Sequence, residues 1–396
     1  MLYSKRELNS LLCLDDFERA ARGYLPRSLF AYVSGGVETN ASLAQNRAVF
    51  QEFGFVPRVM RDVSSVNTEI DLWGDTYKMP FGIAPMGLSA LTAYDGDCAL
   101  ARAACNAGIP MIMSGSSLTR MEEVSGIGPN VWFQAYLPGT LEQIEALVER
   151  VQRAGFQKLV ITVDTPVAAN RENNIRAGFS TPLRPSVGLA LDGILHPRWT
   201  LGTFLRTLLA KGMPHFENNY ATRGAPILSR HVLRDLSDRS HLNWDYFRRI
   251  RELWHGRLIV KGVLSAADAR YAVDAGADAI IVSNHGGRQL DGSLAPLRVL
   301  PSIVAACPGV PVMMDSGVRR GTDVVKALAL GAHCVFVGRP FAYAAAVGGE
   351  GGVARAIDLL GVELRRNLAM LGITRIDGLD DACVQAITPG SGWVSR

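Results

Sequence analysis

Residues 257–284 read RLIVKGVLSAADARYAVDAGADAIIVSN, and they hold one full repeat of the fold. RLIVKG (257–262) and AIIVSN (279–284) are short apolar runs, rich in β-branched residues and of strand length. Between them, SAADARYAVDAG (265–276) opens on Ser265, a good N-cap, and closes on Gly276, a good helix stop. Near-continuous apolar runs suit parallel strands buried on both faces and joined through helices. The same kind of run recurs at PFGIAPMG (80–87), PMIMSG (110–115), VWFQAY (131–136), KLVITVD (158–164), PVMMDSG (311–317) and CVFVGR (334–339). LEQIEALVERVQRAG (141–155) and GTDVVKALALG (321–331) supply further helices. Eight strands in this rhythm predict an α/β chain folded as a (β/α)8 TIM barrel.

Some segments stand outside that rhythm. Residues 1–79 read as a helical lead-in packed on the barrel, 80–387 as the barrel itself and 388–396 as a flexible tail. The gap between Asp164 and Arg257 is too long for one helix and predicts an insertion at about 180–240, after the fourth strand. Within it, LALDGILHPRWTLGTFLRTLLAKGMPHF (189–216) has apolar residues at near-helical spacing, with Arg198, Arg206 and Lys211 among them. One reading is a covering helix over the mouth of the site. The other is an amphipathic segment lying on an anionic membrane surface.

Composition sets the outer bounds. The chain has 396 residues, 48% hydrophobic and 20% charged, which is ordinary for a large globular core. A net charge of +4 argues against a dedicated nucleic-acid binder. The six cysteines form no CxxC pair, so they are expected reduced, in a cytoplasmic setting. No secretory leader is expected, and no apolar run approaches the ~20 residues needed to span a bilayer.

Catalytic groups of a TIM barrel sit at the C-terminal ends of its strands. The first strand ends in Pro85, Met86 and Gly87, and the second in Ser114. Gln134 and Tyr136 share one face of the third, and Thr162 and Asp164 one face of the fourth, with Arg171 in the following loop. The fifth ends in Lys261, and the sixth gives Ser283, His285 and Arg288. Asp315, Ser316, Gly317, Val318 and Arg319 follow the seventh, and Gly338 and Arg339 the eighth. Each of these alone is an ordinary surface or core residue. A whole ring of charges at one rim needs a ligand or internal partners to offset its desolvation.

Three groupings follow. Arg171 and Arg288 suit one carboxylate, because guanidinium forks match its geometry. The 315–319 and 338–339 segments follow strands seven and eight, where this fold commonly binds phosphate. His285 suits an acid/base role, with Asp164 orienting it. Lys261 offers positive charge to an electron-rich cofactor ring. No GxGxxG opens a helix after a strand, which disfavours a nicotinamide site, and no His/Cys spacing suggests a metal. A carboxylate clamp, a histidine base and a phosphate-bearing cofactor point to 2-hydroxy acid chemistry on FMN.

On SNHGGRQLDG (283–292), DSGVRRGTDVVKALALGA (315–332), VGRPF (337–341), FQAY (133–136) and LVITVDTP (159–166), the chain resembles the FMN-dependent L-2-hydroxy acid dehydrogenases and oxidases. The resemblance covers roughly residues 14 to 385. It implies that Tyr32, Tyr136, Arg171, His285 and Arg288 meet the substrate, with Asp164 paired to His285. It implies that Pro85 to Gly87, Ser114, Gln134, Thr162 and Ser283 contact the flavin, and that Lys261 lies near its N1 and O2. Asp315 to Arg319 and Gly338-Arg339 match the ribityl and phosphate site. Gly87 resembles the dehydrogenase branch, and LDGILHPRWTL (191–201) the mandelate dehydrogenases, whose insertion is membrane-associated. Ser116 and Ala168 stand where bulkier residues narrow the pocket in some relatives, leaving room for an aromatic substrate. The implied reaction is oxidation of an L-2-hydroxy acid to the 2-oxo acid, with electrons passed to a quinone or another membrane acceptor. The implied location is the cytoplasm or the inner face of the cell membrane, and the implied assembly a homotetramer. An L-lactate dehydrogenase and a soluble peroxide-forming oxidase are the alternatives within the family. A non-redox phosphate-binding barrel is the remote one.

Overall fold

The computed structural model describes residues 2–180, 184, 186–229 and 239–387. The tail expected at 388–396 lies outside the described residues, as does part of the expected insertion. Eight strands close into a barrel in which every neighbour is parallel. They are β1 Phe81–Ile83, β2 Met111–Ser114, β3 Val131–Ala135, β4 Lys158–Thr162, β5 Arg257–Val263, β6 Ala279–Val282, β7 Val312–Asp315 and β8 Cys334–Val337. Each lies inside or across its apolar run, and β8 returns to β1 through Val335↔Phe81 and Val337↔Ile83. The fold is the TIM barrel that the run pattern predicts.

The caps behave as their residue types dictate. The Ser265 hydroxyl accepts the Asp268 amide at 3.3 Å and starts the helix Ala266–Asp274. Thr140 and Gln143 close a capping box on Leu141–Arg153. The N-terminal mouth of the barrel is plugged by an antiparallel hairpin, Ile70–Leu72 with Asp75–Tyr77. Leu72 and Tyr77 join the interior cluster of Ile112, Trp132, Ile259, Ile281 and Phe336. There the Trp132 indole N–H donates to Tyr77 Oη at 3.2 Å. With that end sealed by apolar side chains, the polar groups gather at the other.

The lead-in begins with helices, Leu14–Tyr24, Arg27–Ser34 and Ala41–Ala48 among them, and ends in the strand Phe53–Phe55 and the hairpin at 70–77. Leu14–Tyr24 buries Phe17, Ala21 and Tyr24 and packs against the long C-terminal helix Arg339–Met370. In the β4–β5 connection, Val187–Leu195, Pro197–Trp199, a π-helical turn Thr200–Leu205 and Arg206–Lys211 follow one another. The Trp199 indole anchors this run, donating to the Leu91 carbonyl at 2.8 Å. Its opposite side leaves Val187, Leu191, Ile194, Leu195, Leu201 and Leu209 exposed. No helix among the described residues is long and apolar enough to cross a membrane.

Candidate active site

The segment 283–292 does two jobs. Ser283 Oγ accepts the His285 amide at 3.0 Å and Lys261 Nζ at 2.9 Å, which fixes the turn leaving β6. His285 itself takes φ 59°, a left-handed conformation that costs energy outside glycine. The rest of the motif holds the lead-in. Asn284 and Asn46 exchange amide hydrogen bonds at 2.8 and 2.7 Å in a buried pair. Asp291 accepts the amides of Thr39 and Ser42 at 3.0 and 2.9 Å, at the start of Ala41–Ala48. The Ser42 amide and the Thr39 hydroxyl lower its carboxyl to about 2. Gly287, at φ 72°, lets that helix come so close that a Cβ would meet Leu43 N at 2.5 Å.

Toward the cavity, His285 Nδ1 lies 2.9 Å from Asp164 Oδ1 and Nε2 lies 3.3 Å from Tyr136 Oη. Asp164 selects the Nδ1–H tautomer, which leaves the Nε2 lone pair as an acceptor. Burial pushes the His285 pKa below its ordinary value, and the Asp164 charge only partly opposes this. Burial alone would raise Asp164, but His285 and Lys261 outweigh it and hold the carboxyl below its usual range. The pair therefore rests as a carboxylate beside a neutral imidazole, the state a general base needs. Tyr136 is raised by burial first and by Asp164, so it stays a phenol.

One flank of the cavity carries guanidinium groups. Arg288 donates to the Tyr32 and Gly35 carbonyls at 2.7 and 2.9 Å, and its head stacks 5.1 Å from the Tyr32 ring. Arg171 donates to the Arg288 carbonyl at 3.2 Å and to Gln289 Oε1 at 2.5 Å. Arg339 reaches the carbonyls of Val33, Gly286 and Gly35 at 3.0, 2.9 and 2.9 Å, tying the end of β8 to the lead-in. Burial, then the neighbouring Arg171 charge, pulls Arg288 below the usual guanidinium range. Carbonyl dipoles solvate these cations but do not neutralise them, which leaves the flank selective for anions.

A flavin needs polar partners along its ring edge and an anion site for its phosphate. Buried side-chain atoms without a hydrogen-bond partner test that fit. Among the described residues seven such atoms lack a hydrogen bond, and four belong to expected site residues: Gln134 Nε2, Thr162 Oγ1, Asp164 Oδ2 and Arg319 Nε, the last with only the Asp15 carboxylate at 3.8 Å. Such orphans are costly unless a ligand meets them. Ser114 and Gln134 are bonded to each other at 3.2 Å at the ends of β2 and β3. Lys261 is not a lone charge, because its Nζ pairs with Asp315 Oδ2 at 2.9 Å. Burial opposes that ammonium, yet Asp315 and Asp164 outweigh it and keep it charged. The donor set fits FMN.

These groups line a cavity of about 450 Å³, within the usual range for small-ligand sites. Tyr32, Pro85, Met86, Gly87, Tyr136, Thr162, Arg171, Lys261, His285, Arg288, Asp315 to Arg319, Gly338 and Arg339 all reach its wall, as do Ser116 and Ala168. Asp164, Ser114, Gln134 and Ser283 do not; they stand behind it. Sequence reasoning missed Arg239, which lines the cavity from the far end of the insertion. It also missed Asn284 and Asp291 as anchors. No motif marks Arg239, whereas Asn284 and Asp291 sat unexplained inside a quoted motif.

The comparisons agree with this geometry. A family model described as FMN-dependent dehydrogenase matches residues 21–386. (S)-Mandelate dehydrogenase of Pseudomonas putida is 38% identical over 377 residues, 95% of this chain and 94% of that protein. An L-lactate oxidase of Lysinibacillus sphaericus is 36% identical, over 93% of this chain and 91% of its own. A crystal structure described as the monotopic membrane protein (S)-mandelate dehydrogenase superposes with a TM-score of 0.90 at 38% identity, covering 96% of this chain and all of the other. A match of this extent, on a barrel whose rim carries a His–Asp pair and an arginine flank, places the chain in the FMN-dependent dehydrogenase family.

Proposed function

We propose that the chain oxidises an L-2-hydroxy acid with a large, mandelate-like side chain to the 2-oxo acid. The observation that carries this reading is the pairing of a buried neutral His285, oriented by Asp164, with the carbonyl-held cations Arg171 and Arg288 on one cavity wall. Bound FMN supplies the two-electron acceptor. Pro85 to Gly87, Thr162, Gln134 and Lys261 would hold its ring, and the 315–319 and 338–339 segments its ribityl phosphate. Arg171 and Arg288 grip the substrate carboxylate, with Tyr32 beside them. His285 Nε2 takes one proton from the substrate, from the hydroxyl in a hydride route or from the α-carbon in a carbanion route. Asp164 stabilises the imidazolium so formed, and Tyr136 Oη steadies the reacting oxygen. Ser116 and Ala168, both small and both on the wall, support an aromatic side chain.

The exposed apolar side of Val187–Lys211 supports peripheral docking on a membrane, and a quinone there as electron acceptor. The basic residues of that segment are engaged elsewhere. Arg206 stacks on Tyr94, and Lys211 pairs with Asp95 and Glu123. Docking of this kind rests on the apolar side chains rather than on attraction to anionic lipid. The family resemblance adds a homotetramer, which light scattering on the eluting protein checks. The decisive experiment mixes FMN-loaded protein anaerobically with (S)-mandelate, L-lactate or glycolate and follows flavin bleaching. Bleaching fastest with mandelate, with slow recovery in air and fast recovery with a quinone analogue, is expected. Preference for the small acids, or rapid recovery in air, would sink the mandelate-like or the dehydrogenase part respectively.

A further inference from the structure

Arg239 is a cavity-wall cation that neither the carboxylate clamp nor the cofactor groups use. It stands just before the helix Trp244–Leu253 and is only 5% exposed. Its Nε donates to the Leu137 carbonyl at 2.9 Å and its Nη1 to Thr165 Oγ1 at 3.1 Å. The guanidinium carbon sits 4.7 Å from the centroid of the Tyr136 ring. No described residue accepts a hydrogen bond from its Nη2 and no described carboxylate pairs with it. Burial pulls it below the usual guanidinium range, opposed only by the phenols of Tyr136 and Tyr220.

Position gives this cation its meaning. Tyr136 Oη lies 3.3 Å from His285 Nε2, so Arg239 stands one aromatic ring away from the reacting centre. Arg171 and Arg288 hold to Tyr32, Gly35 and Gln289 and serve the carboxylate beside the reacting carbon. Arg239 comes from the far end of the β4–β5 connection, 68 residues beyond Arg171, beside Thr165 of the cavity lining. A guanidinium stacks through its face and donates through its edge. Here the face is taken by Tyr136 and the edge at Nη2 is left over. A buried cation in that state is costly unless an anion completes it.

We propose that Arg239 reads a second acidic group on the substrate, so that the cavity favours 2-hydroxy acids whose distal end carries a carboxylate. This rests on the 2-hydroxy acid reading above. The span required is that of an aromatic ring or a short alkyl chain between the two acidic ends.

The test compares each dianion with its neutral isostere on the FMN-loaded protein under anaerobic stopped flow. The pairs are (S)-4-carboxymandelate with its 4-carbamoyl analogue, and L-2-hydroxyglutarate with its 5-amide. In the wild type, at least one dianion is expected to reduce the flavin about ten- to hundred-fold more efficiently than its amide, the range of one charge-assisted hydrogen bond. In R239M the acid-to-amide ratio falls to about one, and R239K restores part of it. Flavin content and spectrum confirm that both variants are folded. Equal efficiency of acid and amide in the wild type, or an unchanged ratio in R239M with both reactions slowed, overturns the proposal and leaves Arg239 as a brace for Tyr136. Failure of every acid and amide to bleach the flavin overturns instead the 2-hydroxy acid reading, and this proposal with it.

Discussion

His285 holds φ 59°, and such a conformation costs on the order of 1–3 kcal/mol for a residue with a Cβ. That strain aims Nε2 into the cavity while Nδ1 stays on Asp164. His285→Gln keeps a polar group of similar reach but no base of useful strength. It is expected to retain FMN and to lose about 10²–10⁴-fold in the rate of flavin reduction by substrate. A loss under about ten-fold would remove His285 from the role of base. The pH dependence has a definite sign. As the proposed base, His285 works as the neutral imidazole, which exists above the folded pKa that burial places below the ordinary 6.5. Flavin reduction should therefore hold steady through neutral pH and fall only on the acid side of that value. Asp164→Asn removes the charge that raises this pKa, so the acid limb should move lower still while the plateau rate drops. A limb that moves upward would contradict the assignment. At this scale the strand-end rule made most site residues legible, because a barrel has one rim for polar groups. Arg239 was not legible, since it arrives from a long connection where no strand end marks its place.

Anchoring of the lead-in is a property of elements. The Asn46–Asn284 pair is buried and reciprocal, so removing one amide leaves the other without partners. Asn46→Ala is expected to cost roughly 1–3 kcal/mol in denaturant unfolding, with earlier proteolysis near residue 46. Replacing Asn284 as well should then cost less than the sum, and strict additivity would show that the pair is not coupled. The segment Val187–Lys211 makes the second element-scale prediction. Each exposed leucine or isoleucine contributes roughly 1.5–3 kcal/mol when fully buried. Changing Leu191, Ile194, Leu195 and Leu209 to serine should release the protein from membranes and leave flavin reduction by substrate unaltered. Retention on membranes after that change would sink the docking proposal. The sequence showed helical periodicity here but not its direction. An apolar stripe repeats alike whether it faces a core or a lipid surface, and the contacts of Trp199 with Leu91 and of buried Thr203 with Tyr24 show which side is inward.

For the molecule as a whole, the two ends of the barrel are built on opposite terms. The hairpin end is closed by Trp132, Tyr77 and Phe336, an apolar plug that supports stability alone. The other end collects cations and unpartnered polar atoms that are incomplete without a ligand. Removing FMN should therefore lower the melting temperature by several degrees, and restoring it at about a hundred times its Kd should return roughly 2.7 kcal/mol. A melting temperature indifferent to FMN would mean that these groups are satisfied in some other way. The barrel itself was fully legible, because strands buried on both faces leave unbroken apolar runs. The lead-in's task was not, since its partners lie far along the chain.

That remoteness has a consequence for how the protein is made. Asn46 meets Asn284 across 238 residues, and Thr39 meets Asp291 across 252. A ribosome must therefore deliver most of the barrel before the first helices find their seats, and at ordinary rates of synthesis that interval lasts many seconds. Until then the apolar face of Leu14–Tyr24 has nothing to cover it, and Ser42 and Asn46 of Ala41–Ala48 lack their partners. Contacts of such long sequence separation slow folding and lengthen exposure to aggregation. Tyr32, carried on this late-docking segment, makes the rim cavity one of the last parts of the nascent chain to be completed.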